Sequence, residues 1–415
     1  MHDGVLLVVI GVVEVLLLAA LSAVVLRRLR FPYTIGLFLV GMLLAAAPAH
    51  LRLVEPIRHV WLTPELVLFV LLPALVFPAA VHLDAGLLRR NLLPVLLLAG
   101  PGLLVSAAIV GGFVGALTSL PWGAAVLFGT LISATDPVAV VALFKEFKVP
   151  ARLSLLVDGE SLLNDALAVV LFTIVLSTVQ SGVWGSTSVA DGVVRFAVVA
   201  VGGLGVGALL AFGYAGVVRL AEGDPFVEIA LSMVLAYAAF VGADHYLHVS
   251  GIMAVVAAGL VARALRRDRV APEARTQLRH FWSYAEFVAN SFVFLVLGIG
   301  GGGFLHRLLG GGPRALRDVG YAVLAVLLGR VIAVSGLIGL ANRVGRIQPI
   351  DWRQQAVIFW GGGLRGALPL VMALSLPPEI EHRQSILDLT AGVVLFTLVV
   401  QGTTVGRLIR ACAPK

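Results

Sequence analysis

The sequence predicts an all-α polytopic membrane protein with about thirteen transmembrane helices, and three observations carry that prediction. Hydrophobic residues make up 60% of the chain and charged residues only 13%, against roughly 25% charged in an average globular domain. Apolar runs of about 18 residues or more recur along the whole chain, each long enough to span a bilayer as a helix. Alternating ten-residue strands are missing, and an open sheet cannot exist in lipid, so a barrel is excluded.

The spans are expected at about residues 4–26, 33–47, 62–83, 92–117, 122–144, 153–178, 192–218, 226–245, 250–265, 283–303, 318–341, 354–376 and 386–409. The first lacks a basic stretch before it and a small-residue cleavage site after it, so it is read as a retained span and not a signal peptide. The second and ninth are short and are expected to be tilted or partly buried. Turn and charge clusters separate the spans, among them Arg27-Arg28-Leu29-Arg30, Arg89-Arg90-Asn91, Glu222-Gly223-Asp224-Pro225 and the stretch 263–279. No loop is long enough for a soluble domain, so residues 1–415 are read as one membrane-embedded unit. The lone cysteine, Cys412, excludes an internal disulfide and a cysteine metal cage.

Lysines and arginines orient the chain. When loops are assigned alternately to two sides, 21 of the 30 basic residues fall on one side and 7 on the other, with Arg330 and Arg365 inside spans. The rich side is expected to be cytoplasmic, with the N-terminus outside and the C-terminus inside. This asymmetry accounts for the net charge of +7. A nucleic-acid partner is not expected, because no basic surface is interleaved with aromatics.

Three polar clusters converge on the membrane centre. Asp165 lies 12 residues, about 18 Å, from the cytoplasmic end of the sixth span. Arg365 lies about 16 Å into the twelfth, and Thr135 and Asp136 about 21–22 Å into the fifth. The hydrocarbon core is about 30 Å thick. Charges at such depth are rare and mark ion or proton paths. Two of the three spans carry helix breakers there: Thr135-Asp136-Pro137 in the fifth, and Gly361-Gly362-Gly363-Leu364-Arg365-Gly366 followed by Pro369 in the twelfth. The interrupted spans are seven apart among thirteen, which places them at matching positions of two halves with opposite topology. Inverted-repeat transporters have this pattern, with the site at the broken helices. Asp136 suits an exposed N-terminal dipole end and Arg365 a C-terminal one. In the sixth span Glu160 and Asn164 share one helix face, and Ser161 and Asp165 the adjacent face.

At these residues the chain resembles the monovalent cation:proton antiporter family, in its electroneutral NhaP/NHE-like branch. The matching strings are Ser133-Ala134-Thr135-Asp136-Pro137-Val138-Ala139-Val140, Gly159-Glu160-Ser161-Leu162-Leu163-Asn164-Asp165 and Gly363-Leu364-Arg365-Gly366-Ala367. His248-Val249-Ser250-Gly251-Ile252, Phe281-Trp282 with Asn290-Ser291-Phe292-Val293-Phe294, and Gly329-Arg330-Val331 support them, in the family's order over about residues 30–400.

The resemblance implies that Asp165 alternately holds Na⁺ (or Li⁺) and a proton, and that Asn164 is a helix-stabilising amide. An aspartate stands at that place in the electrogenic branch, so asparagine implies one cation exchanged for one proton. Ser161 and Thr135 would be further oxygen ligands of Na⁺. Glu160 and Arg365 resemble a structural ion pair, and Asp136 the partner of the broken fifth helix. Arg330 is read as structural, pairing with an acid or snorkelling. The family fold implies a homodimer, with a transport core at about 92–180 and 318–410 moving against an interface part at about 4–83 and 192–303. The string Phe77-Pro78-Ala79 departs from the Phe-Glu-Ala common in relatives, so one carboxylate is missing. Asp158 stands where glutamate is common.

The chemistry follows from competition. Na⁺ is a hard cation that takes oxygen ligands. A carboxylate in a low-dielectric site demands neutralisation, by a cation or by a proton. If only the neutralised forms cross, exchange is obligatory. No nucleotide or other cofactor is required, and no phosphate loop of the Walker type is present. K⁺/H⁺ exchange on the same fold is the nearest alternative. An intramembrane aspartyl protease using Asp136 and Asp165 fits poorly with the Asn164-Asp165 pair and the arginines. All nine histidines lie near span ends or in loops, which leaves a serine hydrolase without a base. A channel would need a repeated ring of carbonyls or acids. The protein is therefore expected not to be an enzyme.

Overall fold

The computed structural model describes residues 2–29, 31–46, 66–136, 138–182, 189–221, 224–266, 272–310, 312–344 and 348–412. Pro137, residues 47 and 62–65 at expected span ends, the turn residues Glu222 and Gly223, and the basic residues Arg30, Arg52, Arg58, Arg267, Arg269, Arg346 and Lys415 lie outside them.

The described chain is mostly helical. In order it forms α1 (His2–Arg28), α2 (Tyr33–Ala46), α3 (Leu72–His82, preceded by a π turn at Val67–Leu71), α4 (Ala85–Arg90), α5 (Leu92–Ala99) and α6 (Pro101–Leu117). Then come α7 (Trp122–Ile132), α8 (Val138–Glu146), α9 (Ala151–Ser181), α10 (Val189–Val218), α11 (Pro225–Val241) and α12 (Gly251–Arg266). The chain ends with α13 (Pro272–Gly310), α14 (Gly312–Arg343), α15 (Trp352–Gly361), α16 (Ala367–Leu374), α17 (Arg383–Phe396) and α18 (Gly402–Cys412). Among the described residues, eight stretches are long and apolar enough to cross a membrane, and four shorter apolar helices lie among them. The protein is a multi-pass membrane protein of all-α class.

Local signals set the ends. α9 starts after Pro150 and stops at Gly182, whose φ of 66° is the left-handed turn that glycine adopts without strain. α15 starts with a capping box in which Asp351 and Gln354 satisfy each other's backbone N–H groups. α15 ends where Gly361-Gly362-Gly363 supplies no side chain to hold the helix.

Packing follows the rule for helices in lipid, where small residues let backbones touch. A Cβ built on Gly129 of α7 would meet the Ala107 carbonyl of α6 at 2.5 Å. Gly41 of α2 and Gly298 of α13 face each other's backbones in the same way, as does Gly203 of α10 against Ser250 at the foot of α12. Outward surfaces are apolar: Leu6, Val9, Val13, Leu17, Leu21 and Val24 form an exposed row along α1, while Val15 and Ala19 on its other side are fully buried.

The contacts between helices repeat with opposite topology. α2 packs on α13, and its counterpart pair α3 and α12 pack together. α1 lies on α2 and α13, as α11 lies on α12 and α3. α6 packs against α14, its counterpart in the other half. In the remaining quarter, α9 touches both halves of the twelfth expected span, α15 and α16, while α17 and α18 touch the two halves of the fifth, α7 and α8.

Candidate functional site

The site is built where the fifth and twelfth expected spans break and cross. α7 stops at Ile132, and side chains bond back onto its last turns: Ser133 Oγ donates to the freed Gly129 carbonyl at 2.7 Å and Thr130 Oγ1 to the Leu127 carbonyl at 2.8 Å. α15 stops at Gly361, and residues 364–366 are non-helical between it and α16. The two unwound strands hydrogen-bond to each other: the Asp136 N–H donates to the Leu364 carbonyl at 2.8 Å, and Arg365 Nη1 donates to the Ala134 carbonyl at 3.0 Å. Thr397, in a π turn (Thr397–Gln401) between α17 and α18, steadies the crossing, its Oγ1 accepting from the Arg365 N–H at 3.2 Å.

Each broken span carries its charge to the half-helix end of the other. The Arg365 guanidinium lies at the C-terminal end of α7, where the dipole is negative. Gly366, just ahead of α16, is packed so closely against the Asp136 carboxylate that a Cβ there would overlap it. The acid thus sits at a positive N-terminal end.

The expected pairing of Glu160 with Arg365 is corrected. Glu160 is held by both guanidinium nitrogens of Arg330, Nη1 to Oε1 and Nη2 to Oε2. Arg330 Nη2 also donates to the Ile358 carbonyl at 3.1 Å, in the last turn of α15. Arg330 therefore does for α15 what Arg365 does for α7. All three charged groups are buried, with 1% exposure at Glu160 and Arg365 and 4% at Arg330. Spacing had fixed the depth of Arg365 but not which arginine faces Glu160 on α9.

On α9, Ser161 Oγ donates to the Thr135 carbonyl, which ties the helix to the unwound fifth span. That bond uses the hydroxyl's proton and leaves its lone pairs available. Thr135 Oγ1, Asn164 Oδ1 and Asp165 Oδ1 are buried with no hydrogen-bond partner. Buried oxygens without a partner are uncommon in native structures and ask for a ligand. The donors are oxygens of mixed type. No group of three or more His, Cys, Asp or Glu side chains fit to hold a metal occurs among the described residues.

Most of these groups border a cavity of about 1180 Å³. Thr135, Asp136, Ser161 and Asp165 line it, as does Pro78 of α3. Its rim is set by helix ends that all belong to the basic side: His82 closing α3, Arg263 in the last turn of α12, and Arg275 and Arg279 opening α13. Arg263 is anchored to the Val81 carbonyl at 2.6 Å. Sequence reasoning missed Ser154, Glu286 and Asn290 as lining residues. All three lie inside the expected sixth and tenth spans, and for Ser154 the signal was its four-, three- and four-residue spacing to Asp158, Ser161 and Asp165 on one helix face. At the opposite end of the molecule, Arg307 of α13 and Asp388 of α17 form an ion pair at 2.8 Å, joined by Gln384 at 3.1 Å.

Comparison with known proteins agrees with this architecture. The family model described as sodium/hydrogen exchanger, transmembrane, matches residues 15–411. The chain is 35% identical over 409 residues to the Na⁺/H⁺ antiporter NhaH of Halobacillus dabanensis, covering 96% of this chain and 97% of that one. It is 35% identical over 385 residues to the Na⁺/H⁺ antiporter ApNhaP of Aphanothece halophytica, covering 92% and 69% respectively. Among solved structures it is similar in fold to the sodium proton antiporter MjNhaP1 of Methanocaldococcus jannaschii, with a TM-score of 0.75 at 20% identity over 99% of this chain and 100% of that one. The chain belongs to the transmembrane sodium/hydrogen exchanger family.

Proposed function

We propose that this protein is a secondary antiporter that exchanges Na⁺, or Li⁺, for H⁺ in a one-to-one, electroneutral cycle, with Asp165 as the shared carrier. The observation that carries this reading is the deep carboxylate with a buried, unpartnered oxygen at the base of a cavity. Asp165, Ser161, the Thr135 hydroxyl and carbonyls of the unwound fifth span supply hard oxygen ligands suited to Na⁺. The Asn164 amide steadies α9 beside them. Because Glu160 is matched by Arg330, and Asp136 and Arg365 by helix ends, Asp165 is the acid whose neutralisation falls to the cargo.

The thirteen expected segments all cross the bilayer, with the N-terminus outside and the basic, cavity-bearing face on the cytoplasmic side of the cell membrane. The structure is then open inward. The core, about 92–180 and 318–410, moves against the interface part, about 4–83 and 192–303, in a homodimer whose task is pH and salt homeostasis.

The test uses purified protein in vesicles with an acidic lumen. Added Na⁺ or Li⁺ should alkalinise the lumen, at a rate independent of an imposed membrane voltage. Asp165→Asn should abolish this while leaving helix content and elution unchanged. Normal exchange by that variant rules out the assigned carrier.

A further inference from the structure

α9 presents a polar stripe that runs from the rim of the cavity to its base. Ser154, Asp158, Ser161 and Asp165 are spaced by four, three and four residues, so they fall on one helix face, and all four line the cavity. Asp158 lies seven residues nearer the rim than Asp165, about 10 Å along the axis. Ser154 Oγ donates to Asp158 Oδ2 at 3.3 Å, which orients the carboxylate within the stripe. Across the cavity, α13 contributes Glu286 and Asn290, and the rim carries Arg263, Arg275, Arg279 and His82.

This arrangement sets a problem for a cation. It has to pass a rim with three arginines before it meets the acid that carries it. At physiological ionic strength the field of an exposed charge is screened over about 8 Å. Asp165 lies deeper than that below the rim, so its own pull on a cation outside is weak. A carboxylate part-way down, inside low-dielectric walls that focus its field, bridges the gap.

We propose that Asp158 is a staging carboxylate, a positioning residue that receives the incoming monovalent cation below the arginine rim and hands it along Ser161 to Asp165. It selects for cations over anions at the cavity face and sets the apparent affinity there, while Asp165 carries out the exchange. The proposal rests on the antiporter reading above. It adds a sidedness that the reading alone does not require, because Asp158 serves only the face on which this cavity opens.

The experiment measures Na⁺-driven exchange in vesicles of sorted orientation, with Na⁺ added to the cavity face or to the opposite face. Asp158→Asn should raise KM for Na⁺ at the cavity face roughly three- to tenfold, with the maximal rate reduced less than about twofold. KM at the opposite face should stay at the unsubstituted value, and Asp158→Glu should restore KM at the cavity face. Added choline chloride should shrink the difference, since it screens the same field. If Asp158→Asn does not accumulate in the membrane, Ser154→Ala is measured instead and should raise KM at the cavity face alone. An unchanged KM, an equal effect at both faces, or a lost maximal rate with no change in KM would overturn the staging role. Absence of exchange by the unsubstituted protein would overturn the antiporter reading itself and is thereby distinguishable.

Discussion

Single residues settle what the site can do, and the buried charges are the most informative. Glu160 and Arg330 satisfy each other in a place where neither is tolerable alone. Removing one partner of a buried pair costs about 3–5 kcal/mol, because the other is stranded. Arg330→Gln should therefore lower thermal stability sharply, whether or not Na⁺ is present, and Glu160→Gln should do the same. Asp165→Asn should leave melting in the absence of Na⁺ unchanged or raised, because it removes a charge that has only cargo to neutralise it. Thermal unfolding of the three variants in detergent checks this contrast, and an equal loss in all three would contradict it. Asp165 was legible in the sequence because an acid 12 residues into an apolar span has few bland explanations. The partner of Glu160 was not legible. Helical rise gives the depth of Arg330 and Arg365, but the choice between them depends on how α9, α14 and the broken twelfth span rotate against one another, and that is decided by packing.

At the scale of elements, the broken helices hold the design together. The crossing is fixed by two hydrogen bonds between unwound strands and by close helix contact around them. Gly129→Ala would drive a methyl group into the Ala107 carbonyl and the Gly111 backbone. Overpacking of this kind costs about 1–3 kcal/mol, and here it displaces α7 from α6 at the base of the site. The expected outcome is a lower melting temperature together with a slower maximal rate. The Arg307–Asp388 pair on the opposite face behaves differently. Its side chains are partly exposed, and such pairs contribute at most about 1 kcal/mol. Asp388→Ala should barely change melting; a loss comparable to that of Arg330→Gln would show that the contact is a structural lock. The interruptions themselves were readable from glycine and proline at midplane depth. The start of α13 was not, because Arg275, Arg279 and His280 look like the end of a membrane span. The helix continues through them to Pro272, with Arg275 and Arg279 turned to the cavity. Apolar periodicity cannot distinguish a charge facing a loop from one facing a water-filled vestibule.

For the whole molecule, the two-sided architecture and the deep carboxylate of Asp165 make one account. Inverted halves bring opposite dipole ends to the membrane centre, fixed arginines and Asp136 answer those ends, and a cavity exposes Asp165 to one face. If cation and proton share that acid, raising the proton concentration should raise KM for Na⁺ proportionately and leave the maximal rate at saturating Na⁺ unchanged. Initial rates over a pH series check this, and a fall in maximal rate at constant KM would point to separate sites. The most direct measurement is made at equilibrium. Purified protein in weakly buffered detergent solution is titrated with NaCl, against choline chloride as control, while released protons are counted with a pH dye. Competition predicts about one proton released for each Na⁺ bound at a pH where the empty acid is protonated, and none from Asp165→Asn. Na⁺ binding without proton release, or release that survives Asp165→Asn, would contradict the account.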